Sequence, residues 1–348
     1  MERIHRTCYR LGIKKIYTFV ILGFISLSLF SASIERIAVV NLNCSPLRGT
    51  YNEGYITLVD SLSRKVVLVD ADKKRVVLTL DDFLYPVWAL FHSKKIYVTD
   101  LFTGEFLEYD LLGRKLRRIY LGNDPSVFVY DNGKFYISLF SNGTLIALDE
   151  NNFKIVERYK IGISSSYFYV KNNEIIYMCY WRKQNDPAII RIKSRQMKKI
   201  YLDLERPLRY IKGATGEYFL DYKNGKLVKM LKDNVVWSVN LPDLSYSLSF
   251  FGKDLAVSSL VEPVISVVDR DGNVKKIKVP HPVLDLEEIE EYLVAISNSE
   301  NEVYLLNDGK VIFKERTGKY PLKIFKIGKK EFAILCSDSQ ELLFYKIK

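Results

Sequence analysis

Residues 45–70 lie over residues 85–110 with no gap, SPLRGTYNEGYITLVDSLSRKVVLVD on YPVWALFHSKKIYVTDLFTGEFLEYD. Pro46 meets Pro86, Asp60 meets Asp100, and Asp70 meets Asp110. A third copy starts at Pro125, and in all three the step from Pro to the last Asp (Asp70, Asp110, Asp149) is 24 residues. Weaker copies start at Ser165, Pro207, Leu244, Pro282 and Pro321, so successive marks fall 40, 39, 40, 42, 37, 38 and 39 residues apart. A period in this range means a chain built from one supersecondary unit that cannot bury its apolar face alone.

Each unit holds four short alternating runs. In the second they are residues 86–91, 95–100, 105–110 and 115–121, rich in Val, Ile, Leu, Tyr and Phe and separated by Gly, Asp and Lys turns. Such runs are strands joined by hairpins. Past residue 34 there is no sustained helical period. Residues 286–291 are acidic enough for one helical turn, although a strand is due there. Four strands per repeat of about 40 residues predict a β-propeller blade. An immunoglobulin-like array needs about 100 residues per unit.

The last copy supplies strands at 321–327, 331–336 and 342–347 and then stops, one strand short. One strand is left over at the other end, residues 36–42 (RIAVVNL). It fits the vacancy, and a ring closed this way has no exposed edge to recruit other strands. The expectation is an all-β, single-domain propeller over residues 34–348 with eight four-stranded blades. Seven blades, with the fourth or sixth copy misread, is the alternative.

The stretch Val98-Thr99-Asp100, Gly104 to Asp110, then Ile119 to Pro125 resembles the YVTN-type repeat of extracytoplasmic propellers. The match is clear in two copies and faint in the other six. The resemblance implies the fold and an exported setting. It implies no particular reaction, since such propellers mostly bind or scaffold.

Residues 1–15 carry Arg3, Arg6, Arg10, Lys14 and Lys15 against Glu2 alone, and residues 16–30 (IYTFVILGFISLSLF) are almost free of polarity. Ser31-Ala32-Ser33 follows. A basic start, a run of about 15 apolar residues and a small-x-small end read as a secretory signal cut after Ser33. The alternative is an uncleaved anchor, for which the run is short of the roughly 20 residues of a span. The expected location is therefore periplasmic or secreted, with a membrane partner only if the segment stays attached. Removing residues 1–33 takes away five basic residues and one acidic one, so the formal charge of +11 falls to +7. The remaining surplus is scattered over hairpin tips such as Lys73-Lys74 and Lys329-Lys330, without the compact basic patch that nucleic acid requires. Few Gln and His beside plentiful Lys, Glu, Ile and Tyr resemble the usage of a thermophile.

In a propeller the connections between blades and the turns between second and third strands open on one face, where ligands usually meet the ring. This register puts Asp60, Tyr85, Asp100, Asp124, Arg206, Asp221 and His281 there. The longest loop on that face is residues 180–187, YWRKQNDP. Trp181 offers a large rigid contact and Arg182 a charged fork, so these two lead the candidate binding residues, with Tyr85, Asp100, Asp124, Arg206 and Asp221 around them. Asp60, Asp100 and Asp221 share one column and are candidates for a Ca²⁺ site of hard oxygen ligands, against the plainer role of turn formers. His281 is the candidate acid/base of a lyase; His92 falls on the wrong face.

Three Trp (Trp88, Trp181, Trp237) are too few for the blade-by-blade motif of quinone-dependent dehydrogenases, so no quinone cofactor is expected. Sialidase-type Asp turns, WD dipeptides, a Gly-x-Ser-x-Gly elbow and a Walker loop are absent. Cys44, Cys179 and Cys336 remain past residue 33 and are expected to be free thiols. The reading is a monomeric, non-catalytic module that binds a protein or small molecule on the connection face. The alternative is a lactonase-like hydrolase or a lyase with a metal at the channel mouth.

Overall fold

The structure, a computed structural model, describes residues 32–348. The signal or anchor expected over residues 1–33 lies almost wholly outside them. Eight separate four-stranded antiparallel sheets follow one another along the chain and form a ring. Blades 1 to 7 occupy residues 48–80, 86–120, 125–160, 168–200, 207–240, 245–278 and 285–316; blade 8 combines residues 321–347 with 34–41. This is the eight-bladed propeller read from the repeat. Among the described residues no helix is long and apolar enough to cross a membrane. The one helical piece among the described residues is a 3₁₀ turn at Phe140–Asn142.

Burial along each blade follows from its place in the ring. Second and third strands are covered on both sides by neighbouring blades, so Lys95–Asp100 and Lys65–Asp70 are buried at every residue past the first. Fourth strands lie at the rim and alternate, as in Lys115–Tyr120 and Lys310–Arg316. The core is accordingly eight apolar clusters, most of them wedged between two adjacent sheets. One joins Val294, Ile296 and Leu305 of blade 7 to Phe332, Ile334 and Leu343 of blade 8. Of residues 286–291, where a helical turn was conceivable, the first four belong to the strand Asp285–Ile289, in which Leu286 and Ile289 are both buried, and Glu290 and Glu291 form the turn after it.

Closure runs as the register requires. Ile34–Asn41 pairs antiparallel along its whole length with Glu341–Ile347, from Ile34↔Ile347 to Asn41↔Glu341, with one bulge between Arg36 and Ala38. Arg36 then reaches Glu315 at 2.9 Å and ties the closing strand to blade 7. Cys336 packs in the cluster between blades 7 and 8, while Cys44 packs in the one between blades 8 and 1. The sheet of blade 8 stands between them, and all three described cysteines are free and buried.

On the connection face, the turns between second and third strands pack directly under the chain leaving the same blade. Gly104 has φ +68°, and a Cβ there would meet the carbonyl oxygen of Gly122 at 2.5 Å; Gly225 (φ +56°) would meet that of Pro242 at 2.0 Å. Glycine is required at both, by conformation and by space.

Candidate functional site

The three aligned aspartates are buried, at 3%, 1% and 0% exposure for Asp60, Asp100 and Asp221. Each carboxylate clamps the connection entering its blade to the turn beside it. Asp60 accepts from the amides of Ser45 (2.8 Å) and Ser63 (2.9 Å). Asp100 accepts from Leu84 (2.7 Å), Tyr85 (3.1 Å), Phe102 (3.2 Å) and Thr103 (3.3 Å). Asp221 accepts from Glu205, from Arg206 (3.0 Å) and from Lys223 (2.9 Å). Their lone pairs are thus used by orphan backbone donors. Among the described residues no group of three or more His, Cys, Asp or Glu side chains is arranged to hold a metal. His281 lies over the third strand of blade 7, with its Nε2 4.0 Å from Glu302. His92 is on the opposite face, bonded to Glu53 at 2.7 Å and packed on Tyr130.

The long loop divides its two expected contact residues. Trp181 stands 54% exposed. Arg182 folds back on the chain: its guanidinium donates to the carbonyls of Asp186 (Nε, 2.9 Å), Gln184 (3.1 Å) and Leu204. The fork expected to meet a ligand is spent on holding the loop, because a loop of this length leaves carbonyls that no strand satisfies. Arg206, from the next connection, takes its place beside Trp181. Its guanidinium lies 5.2 Å from the indole centre and 5.7 Å from that of Tyr180.

From Trp181 one chain of contacts leads inward to Tyr167, and a second group forms around Tyr246. Trp181 packs edge-on against Tyr180 (5.0 Å between centres), and Tyr180 packs on Tyr167 (5.0 Å). Tyr246 meets Tyr222 at 6.2 Å and lies under the guanidinium of Arg209 at 4.9 Å. Tyr85 forms a separate stack with Phe102 (4.7 Å), whose ring is 67% exposed on the turn of blade 2. Asp124 is half-buried, with φ +58°, and its carbonyl accepts from the amide of Phe140 at 2.9 Å; it shapes a connection.

Tyr167, Arg209 and Tyr246 belong to a ring at the mouth of the central channel. First strands line that channel. Arg48, Trp88, Arg209, Asp285 and Lys323 sit opposite Val59, Thr99, Leu220, Ile296 and Leu335, which are equivalent positions of the second strands and so lie at one height. Tyr167 holds that height in blade 4, its carbonyl accepting from the amide of Met178. Val127 and Tyr246 fall in the bulges that begin blades 3 and 6. None of the eight is fully buried. The ring thus carries three cations, one carboxylate and three aromatic rings. Burial opposes the charge on Arg209, but Tyr246, Tyr169, Asp285 and Tyr167 outweigh it and raise its pKa. For Lys323 burial wins, against Asp285 and Glu287, and lowers the pKa. Glu287, one turn of the pleat deeper than Asp285, is pushed up to about 7 by burial and then by Asp285.

No model of a known protein family matches the chain, and no curated protein does. Solved structures match it closely in shape. They include BamB from Moraxella catarrhalis (TM-score 0.70, 10% identity, covering 90% of this chain and 99% of that one). Sqt1 from Saccharomyces cerevisiae gives 0.72 at 12%, covering 90% and 98%. Virginiamycin B lyase from Staphylococcus aureus gives 0.56 at 12%, covering 90% and 99%. The chain is a β-propeller. At these identities the likeness is one of fold, on which a lyase and proteins of other kinds are built alike.

The aromatic and basic ring was within reach of the sequence. Two residues past each repeat mark stand Arg48, Trp88, Val127, Tyr167, Arg209, Tyr246 and Lys323, against Leu284 in blade 7. Reading that column, and not the acidic one, finds the mouth of the channel.

Proposed function

We propose that this protein is an exported binding module that holds a protein partner on its connection face. The observation that carries the reading is the run Trp181, Tyr180, Tyr167 with Arg206 laid along its outer end, together with the Arg209–Tyr246 pair at the same channel mouth. Rigid aromatics beside guanidinium groups, partly exposed and already ordered by one another, are what interface anchors look like. Phe102 on Tyr85 and the exposed tips Leu62 and Val261 give the same face further apolar contacts around the ring. The direct test places a photoreactive residue at Trp181 or Phe102 in cells that make the protein. A defined protein adduct is expected from both. Leu112, 75% exposed on the turn between third and fourth strands, marks the opposite face. Adducts from Leu112 and none from Trp181 or Phe102 would overturn the assignment.

A further inference from the structure

Three cations converge on the channel mouth with few acceptors to meet them. Among the described residues no carboxylate lies within ion-pair distance of Arg48, Arg209 or Lys323. One donor of Arg48 bonds the carbonyl of Val87 (3.2 Å), and the Nε of Arg209 bonds that of Tyr246 (3.1 Å). The other donors of both guanidinium groups have no partner among the described residues, nor do the Lys323 ammonium and the hydroxyls of Tyr167 and Tyr246. Asp285 is the acid of the same ring, but both its oxygens are occupied. One accepts from the Ser247 hydroxyl (2.8 Å) and the other from the amide of Ile324 (3.0 Å). Three cations enclosed by a protein ring, with no ion pair and only Asp285 and the deeper Glu287 nearby to offset them, favour an anion that joins them.

We propose that the channel mouth is an oxyanion site, in which Arg48, Arg209, Lys323, Tyr167 and Tyr246 hold a carboxylate or phosphate group of the bound ligand. The two guanidinium forks suit paired oxygens, Lys323 supplies a point charge, and the tyrosine hydroxyls donate from blades 4 and 6. The low-dielectric walls concentrate the field of the three charges at the opening. Glu287 sets the pH range. The groups facing it are Asp285, Lys326, Lys323 and Glu288. It is mostly neutral below about 7 and charged above, so the mouth loses net positive charge as pH rises through that value. Oxyanion affinity therefore falls from pH 6 to pH 8.

The proposal rests on the reading of this face as the binding face, yet the two fail separately. Isothermal titration of the purified protein with inorganic phosphate and with benzoate gives the first readout and tells phosphate from carboxylate preference. Saturable binding of at least one is expected, weakened about tenfold by Lys323→Met, which removes a side chain with no partner to lose. Leu112→Ala, on the opposite face, should leave that affinity unchanged. Benzoate keeps one charge between pH 6 and pH 8, so its affinity reports the protein alone. It should fall several-fold over that range, and Glu287→Gln should remove the fall. Absence of saturable binding by both anions, equal affinity in Lys323→Met, or a pH dependence that survives Glu287→Gln would overturn the site. The protein-binding reading would then stand or fall on the crosslinks alone.

Discussion

The junction between blades 1 and 2 and the junction between blades 4 and 5 are held by different means. At the first, side chains of one inner strand bond the backbone of the next at steps of 39 residues. Arg48 reaches Val87, Thr50 reaches Ala89 (2.8 Å) and Asn52 reaches Phe91 (2.9 Å). Blades 6 and 7 are stitched similarly through Ser247 and Ser249. Between blades 4 and 5 the described inner strands share no hydrogen bond, only the rings of Tyr169 and Tyr210 at 5.1 Å. The junction is fastened toward the opposite face by a partly buried ion cluster. Arg191 hydrogen-bonds Glu174 (2.8 Å) and Glu217 (2.6 Å) and has Asp233 at ion-pair distance (2.9 Å), and Lys212 and Lys198 add to the cluster. Side chains relieved of stitching, such as Tyr167, are left to line the channel.

The largest effect is expected at neither junction but at the closure. Deleting residues 34–43 strips the outer strand from blade 8 and uncovers Leu342, Leu343 and Phe344 along a bare edge. The truncated chain should aggregate or lose its cooperative transition, seen by calorimetry and light scattering. A monodisperse product with unchanged melting would refute the register of closure.

Next in size is the ion cluster. Arg191→Ala leaves Glu174, Glu217 and Asp233 without their shared cation and only Lys212 and Lys198 at the edge, a loss of roughly 2–4 kcal/mol in denaturant titration. Its acid sensitivity has a definite sign. Burial pushes the Glu217 carboxyl up, but bonds from Arg191 and Tyr210 and the Arg191 charge prevail and hold it below the usual range. Its folded pKa is thus lower than its unfolded one. The stabilisation is full above about pH 4.5 and is lost as pH falls through the depressed value. Arg191→Ala should shrink that loss. A variant with the same acid slope as the parent would mean that other carboxylates dominate.

The long loop of blade 4 gives a sharper, smaller contrast. Arg182→Ala removes the donors that hold the loop and should cost about 1–3 kcal/mol of stability. Trp181→Ala should cost little stability but more than about 1 kcal/mol of partner affinity. The reverse pattern would put the contact on Arg182. Smallest of all, Thr50→Val should cost about 1 kcal/mol. A loss at Thr50 as large as that at Arg191 would erase the distinction between the junctions.

The ring was legible because its marks are local. A Pro that starts an inner strand, an Asp that clamps the connection 14 residues later and a turn 10 residues beyond recur whole in the first, second and fifth copies and in part in the others. The closing strand followed by counting. The mouth was less legible, since its members come from eight places in the chain and bulges shift the register. Blade 7 brings Asp285 to the height where a strict count gives Leu284. The role of Arg182 was invisible for another reason. Whether a guanidinium faces outward or folds onto its own loop depends on which carbonyls the loop leaves unbonded, and only the backbone path of residues 182–204 decides that.

The clasp formed by the two chain ends also fixes an orientation. First strands start on the connection face, so in antiparallel order the fourth strand of every blade starts on the other. Ile34 begins such a strand, and the Ser33 carbonyl is bonded there by the amide of Lys348 (3.0 Å). Whatever precedes Ile34 therefore departs from the back of the disc. If residues 1–33 stay in a bilayer, the tether holds the disc by its back, and the aromatic face with its charged mouth looks away from the membrane. If they are cut off after Ser33, the clasp loses the Ser33–Lys348 bond but keeps its strand pairing from Ile34 onward, and no tether fixes which way the face looks.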